Sequence, residues 1–329
     1  GDDARRRIVE APMAAVAQAA TQPQGLARLW RKMRRGDGLA ALAFASPWIV
    51  GFLWFQFYPI VASLYYSFTS YNLLRPPVFV GLANFRNLFT HDPLFLKALQ
   101  NTAVFTLISV PLDLLVALLF ALLLNRNIPG KSMFRAIFYF PAIIPSVATG
   151  ILWILILNTQ GGLVNVLMQR IGLPALPWLT SPQWAMPALI LLSLWNVGPV
   201  VVIFLAGLQD VPRVLYEAAQ LDGAGPIELV RRVTIPMISP VIIFNLVIGL
   251  IAALQTFSLP FILFANKQDA SSIGGPLNSA LMYSVQLYSV AFQQYRMGYA
   301  AAMAWVLSVI IFTLSLLSLR LSGRFVHFD

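Results

Sequence analysis

Long apolar runs separated by short polar stretches set the pattern of this chain. Six runs reach the ~20 residues that a helix needs to cross a bilayer: 39–69, 101–125, 137–158, 184–208, 238–265 and 297–319. Only the second holds a charged residue, Asp113. The pattern predicts an all-α, polytopic membrane protein with six transmembrane helices. A polar segment (1–38) precedes the helical body (39–320), and a short tail (321–329) follows it. One polar stretch breaks the pattern. EAAQLDGAGPIELVRRVTIP, residues 217–236, carries five charges between two charge-free runs.

Composition sharpens this reading. The chain is 59% hydrophobic and 10% charged, against roughly 25% charged in soluble domains, so most of its outer surface must face lipid. Of its Lys and Arg residues, sixteen fall before span one, between spans two and three, between four and five, and after six; six fall in the other loops. Basic residues gather on the cytoplasmic side, so both termini and the 217–236 stretch are expected in the cytoplasm. The net charge of +10 then reflects membrane topology, and no nucleic-acid partner is expected. The absence of cysteine excludes disulfides, thiolate metal sites and a cysteine nucleophile. His91 and His327 are too few and too far apart for a histidine metal site, so no metal site and no catalytic residues are expected.

Residues 1–38 are rich in Ala, Gln and Arg, and from Leu26 the run LARLWRKMRR fits either a basic amphipathic helix on anionic headgroups or a charged flank of span one. A cleaved signal peptide is disfavoured, because span one is too long for its apolar core. Gly130-Lys131-Ser132 has the look of a phosphate-loop tail, but position 125 is Asn where that loop needs Gly. The chain is therefore expected to bind no ATP itself.

The charged stretch reads as a helical hairpin over 212–236. Pro212 suits a first helical turn, and 213–221 forms a short helix. Gly223 can take positive φ and end it. Pro226 starts a second helix in which Glu228 faces Arg231 and Arg232, and Pro236 marks the entry to span five. Both helices are too short to persist alone, so the hairpin must pack against something. Ala218 and Ala219 leave a smooth flank for a close approach.

Inside the spans, polar groups are expensive unless bonded to another helix or facing a cavity. Span four offers Ser193, Trp195 and Asn196 beside Gly198 and Pro199; span five offers Gln255, Phe257 and Ser258 ahead of Pro260. A sugar ring shows both hydroxyls and flat C–H faces, which such a mixture of amides, hydroxyls and aromatics can meet. Helix-to-helix bonding is the competing reading for each, and the stronger one for Asn245 and Trp153. Asp113 reads as a hydrogen bond to a neighbouring helix or a protonated acid near Pro111, in preference to a substrate or gating contact.

The hairpin resembles a known family. Glu217-Ala218-Ala219, three residues, Gly223, nine residues, then Val233, Ile235 and Pro236 match the coupling-loop pattern of permease subunits in binding-protein-dependent ABC importers, with conservative aliphatic changes at 233 and 235. FVGLANFRNLF (79–89), Asn101-Thr102, GKSMFRAIFYFPAIIP (130–145), GGLVNVLMQRIGL (161–173), GGP (274–276), Tyr288, Ala291-Phe292 and GYAAA (298–302) resemble the maltose and glycerol-phosphate type of sugar permease.

The resemblance implies a type I ABC importer permease fold in a prokaryotic inner membrane. In that family Glu217, Ala218, Ala219, Gly223 and Pro236 would mark the hairpin that docks on an ATPase subunit, and spans four and five would help line the path. The implied partners are a second, homologous permease, two ATPase subunits that hold ATP and Mg, an extracytoplasmic solute-binding protein and a sugar. The resemblance implies no cofactor in this chain and no catalysis by it. The outer loops around 79–89 and 269–295 would help receive the binding protein. A self-sufficient secondary transporter or channel, and an anchoring subunit without its own path, remain as alternatives.

Overall fold

A computed structural model describes residues 37–126, 129–264 and 273–322; the amphipathic run at Leu26, the tail and part of the 269–295 loop lie outside the described residues. The chain divides into two units, 1–62 and 63–329. Helix α1 (Asp37–Phe52), in the first, runs through a π-type turn (Leu53–Phe57) into α2 (Tyr58–Ser67), whose last five residues belong to the second. Trp48 stacks on Phe52 and Trp54 on Tyr58, at ring distances of 5.5 and 6.2 Å, the four-residue spacing that brings side chains together on one helix face.

The second unit continues with a two-rung antiparallel ladder, β1 (Thr69–Ser70) with β2 (Val78–Phe79), and α3 (Ala83–Thr90). The buried Asn84 amide donates to the Ser67 and Thr69 carbonyls, 2.9 Å each, and so fixes α3 against the ladder. Next comes α4 (Pro93–Asn125), 33 residues and about 50 Å long. It begins eight residues before the apolar run at 101, because Asp92 caps it by accepting from the Phe95 N–H at 2.9 Å and Pro93 tolerates the first turn. Phe95 and Ala98 in that extension are fully buried.

The remaining spans depart from straight rods. The expected third span is two helices, α5 (Lys131–Ile143) and α6 (Ser146–Ile156), bent by 99°. Pro145 forces Ile144 into extended backbone (φ −73°, ψ 128°) and removes a donor, so the apolar run cannot stay one helix. After α7 (Leu163–Arg170), the fourth span splits into α8 (Pro182–Trp195) and α9 (Gly198–Asp210), bent by 47°. The hairpin follows: α10 (Arg213–Leu221), α11 (Pro226–Leu229), a π-type turn (Val230–Thr234) and α12 (Ile235–Met237). The fifth span is α13 (Ser239–Leu254) and α14 (Ser258–Phe264); α15 (Tyr283–Tyr288) precedes the last span, α16 (Met297–Ser322). Among the described residues, four stretches are long and apolar enough to cross a membrane, and the count is six with each bent pair as one span.

The long α4 is the spine. It packs against α8, α9, α13 and α15. At one end, Leu88, Phe95, Tyr283, Tyr299 and Met303 form a core. Two buried polar residues of α4 are bonded to the chain leading into α15: Asn101 donates to the Asn278 and Leu281 carbonyls, and Thr102 accepts from the Tyr283 N–H at 2.8 Å. At the other end, Ala117 and Ala121 of α4 meet Val201, Phe204 and Leu208 of α9.

Candidate functional site

Two features stand out, the hairpin and a cavity between the spans. In the hairpin, α10 ends where the Asp222 N–H bonds the Ala218 carbonyl at 3.1 Å and the Gly223 N–H bonds that of Gln220 at 3.0 Å. Gly223 sits at φ 86°, a conformation that side chains other than glycine's resist. The chain then reverses into α11, where Glu228 pairs with Arg232 at 3.0 Å; the sequence had offered both Arg231 and Arg232. Pro212 falls at the N-cap of α10, one place before the turn expected for it.

The hairpin is rooted, not free. Tyr216 and Val233 pack on the cluster formed by α4 and α9. The Tyr216 hydroxyl lies 3.1 Å from that of Thr234, which is buried and bonds the Leu229 carbonyl. Away from this root the surface is open. Glu217, Ala218, Gly223 and Pro236 are exposed and Ala219 is half-buried. At the tip, Leu221 is 89% and Ile227 84% exposed. A folded elbow that shows aliphatic side chains beside charged ones is shaped to be covered by another surface.

The cavity, of about 310 Å³, lies among α4, α8, α9, α13 and α14. Its polar lining comprises Ser109, Asp113, Ser193, Asn196, Asn245 and Thr256; Phe105, Leu189, Leu192, Ile248 and Pro260 are among the apolar walls. Two helix breaks open onto it. Pro199 cannot donate to the Trp195 carbonyl, and Pro260 cannot donate to that of Thr256, so each span is interrupted beside the cavity. Irregular backbone at membrane depth is tolerated where it lines a cavity or is buried in protein.

Of the residues singled out in the spans, the structure brings Ser193 and Asn196 together on the cavity wall with Asp113. Asn245 lines the cavity too, its amide donating to the Val241 carbonyl of its own helix at 2.8 Å, and the others lie elsewhere. Phe257 packs face-on against Phe261 at 5.1 Å and against Tyr288 at 5.3 Å; Trp195 meets Trp153 edge-on at 5.7 Å; Gln255 and Ser258 are exposed beside the break. Asp113 does make the bond to a neighbouring helix, accepting from the Ser193 hydroxyl at 2.9 Å, yet it lines the cavity as well. Thr256 was not singled out, although its place in a polar stretch just before Pro260 was a usable signal.

The chain has likenesses to known proteins that match this geometry. A family described as "Binding-protein-dependent transport system inner membrane component" matches residues 93–327. The chain belongs to that family. This permease is 41% identical over 297 residues to the probable ABC transporter permease protein YesP of Bacillus subtilis (strain 168), an alignment covering 90% of this chain and 94% of the relative. It is 32% identical to the arabinooligosaccharides transport system permease protein AraP of the same bacterium, over 90% of this chain and 92% of that one. Among solved structures it resembles, at a TM-score of 0.76 and 27% identity, a chain of a bacterial ABC transporter that imports the acidic polysaccharide alginate, covering 90% of this permease and 99% of that chain. The match extends to a complex of that transporter with an alginate pentasaccharide-bound periplasmic protein, at the same TM-score. The fold of the permease is that of a type I importer subunit.

Proposed function

We propose that this permease carries a sugar or oligosaccharide inward across a prokaryotic plasma membrane, the solute being delivered by an extracytoplasmic binding protein and the work supplied by separate ATPase subunits. The observation that carries the proposal is the rooted, exposed hairpin at Glu217–Gly223, packed through Tyr216 against α4 and α9, two of the helices that line the cavity. In this reading Glu217, Ala218, Ala219, Gly223 and Pro236 meet the ATPase, and ATP and Mg bind there and not on this chain. Both termini and the hairpin face the cytoplasm. A second, homologous permease supplies the other half of the path and the hairpin for the second ATPase. Ser193 and Asn196 contact the passing solute, with Trp195, Gln255, Phe257 and Ser258 shaping the breaks behind them. The saccharide relatives AraP and the alginate importer support the solute class.

The test is uptake into proteoliposomes holding this permease with a second permease, the ATPases and the binding protein. Uptake of an oligosaccharide should stop when ATP is withheld and continue when the proton gradient is collapsed. Transport by this chain alone, without ATPase subunits, overturns the proposal and restores a self-sufficient transporter.

A further inference from the structure

We propose that Asp113 makes this cavity charge-selective, so that uncharged or cationic saccharides enter it and anionic ones are turned away. The inference rests on reading the cavity as part of the translocation path. Among the described residues, Asp113 is the one ionisable group lining it; every other described polar side chain there is a neutral hydroxyl or amide, and no described Lys or Arg contributes. Its compensation is slight. The Ser193 hydroxyl has a single proton, and that proton is shared between Asp113 Oδ1 at 2.9 Å and the Ile190 carbonyl at 2.8 Å.

Most of the carboxylate's field therefore points into the cavity. A carboxylate or sulfate passing beside Ser193, whose hydroxyl touches Asp113, comes within the roughly 8 Å over which physiological salt screens charge. Apolar walls on several sides keep the effective dielectric low and strengthen the repulsion. Asparagine could accept the same hydrogen bond from Ser193 and fill the same volume, so the bond alone does not require an acid. The charge is what asparagine would lack. The alginate importer, similar in fold, handles an acidic polysaccharide; the cavity here is built for the opposite preference.

The chain contains no cysteine, which permits a direct reading of the field. Asn196→Cys, on the cavity wall, is introduced alone and with Asp113→Asn into the assembled transporter. Both are labelled at pH 8 with a sulfonate-bearing and a trimethylammonium-bearing methanethiosulfonate, and labelling of this subunit is followed by mass spectrometry, with and without ATP plus vanadate. Thr256→Cys serves as a second reporter should the first fail to assemble. The anionic-to-cationic rate ratio is expected to be lower by about tenfold or more with Asp113 than with Asp113→Asn; the intrinsic rates of the reagents cancel in the comparison. Equal ratios in the two backgrounds overturn the selectivity and leave the path standing. If neither reagent labels either reporter in any nucleotide state, the path reading falls and the selectivity with it.

Discussion

The hydroxyls of Tyr216 and Thr234 lie 3.1 Å apart and join the first hairpin helix to the π-type turn that leads into the fifth span. Thr234 is 2% exposed and keeps its bond to the Leu229 carbonyl, so removing the tyrosine hydroxyl severs the link without stranding its partner. Tyr216→Phe should cost only about 1 kcal/mol of stability while loosening the elbow. The expected outcome is normal assembly with solute-stimulated ATP hydrolysis lowered several-fold, measured on the reconstituted complex.

Gly223 makes a different demand. At φ 86° a β-branched side chain is strained whatever space surrounds it, and open space does surround it. Gly223→Val should deform the reversal between α10 and α11 by an energy of order 1–3 kcal/mol. The membrane body lies elsewhere, so the variant should insert and fold. Loss of ATPase subunits during co-purification, with an unchanged melting temperature of the isolated permease, is the expected pair of results.

Gly198 begins α9 beside the bend, and a Cβ there would lie 2.0 Å from the Phe138 carbonyl oxygen of α5. That neighbour is backbone and cannot rotate away. Gly198→Ala should force α5 and α9 apart and destabilise the permease by about 1–3 kcal/mol, read as a fall of several degrees in the thermal unfolding of the detergent-solubilised chain. An unchanged melting temperature would show that the two helices separate freely.

Asn165 is 1% exposed and makes three good bonds: it donates to the Leu176 carbonyl and accepts from the Leu176 N–H and the Trp178 ring nitrogen, at 2.9, 3.0 and 3.0 Å. Asn165→Ala leaves the half-buried Leu176 and Trp178 donors without their acceptor, at about 1 kcal/mol each. The loop from α7 to α8 should become open to protease, with cleavage mapped to 171–181.

Much of this was legible in the chain because bilayer and backbone impose strict terms. Apolar runs marked the spans, Gly223 the reversal, and Pro199 the place where Asn196 meets the cavity; Pro260 marked the second break, but the residue there that meets the cavity is Thr256 and not Gln255, Phe257 or Ser258. The 99° bend at Ile144 was hidden, since its proline lies in a run as apolar as an unbroken span. Asn101 could not be understood locally either: its acceptor at Asn278 is 177 residues away. Phe257 looked like a solute platform, and only the fold reveals Phe261 and Tyr288 against its ring. Asp113 was seen at once, but its second face, toward empty volume, belongs to five helices together and to no local motif.

Leu221 and Ile227, nearly bare at the hairpin tip, bear on how the cell must make this protein. On the proposed reading, in which the elbow meets an ATPase in the cytoplasm, any copy inserted before that partner is available shows an adhesive aliphatic knuckle. Balanced synthesis, or prompt removal of orphan copies by membrane proteases, is then a requirement that the elbow itself imposes.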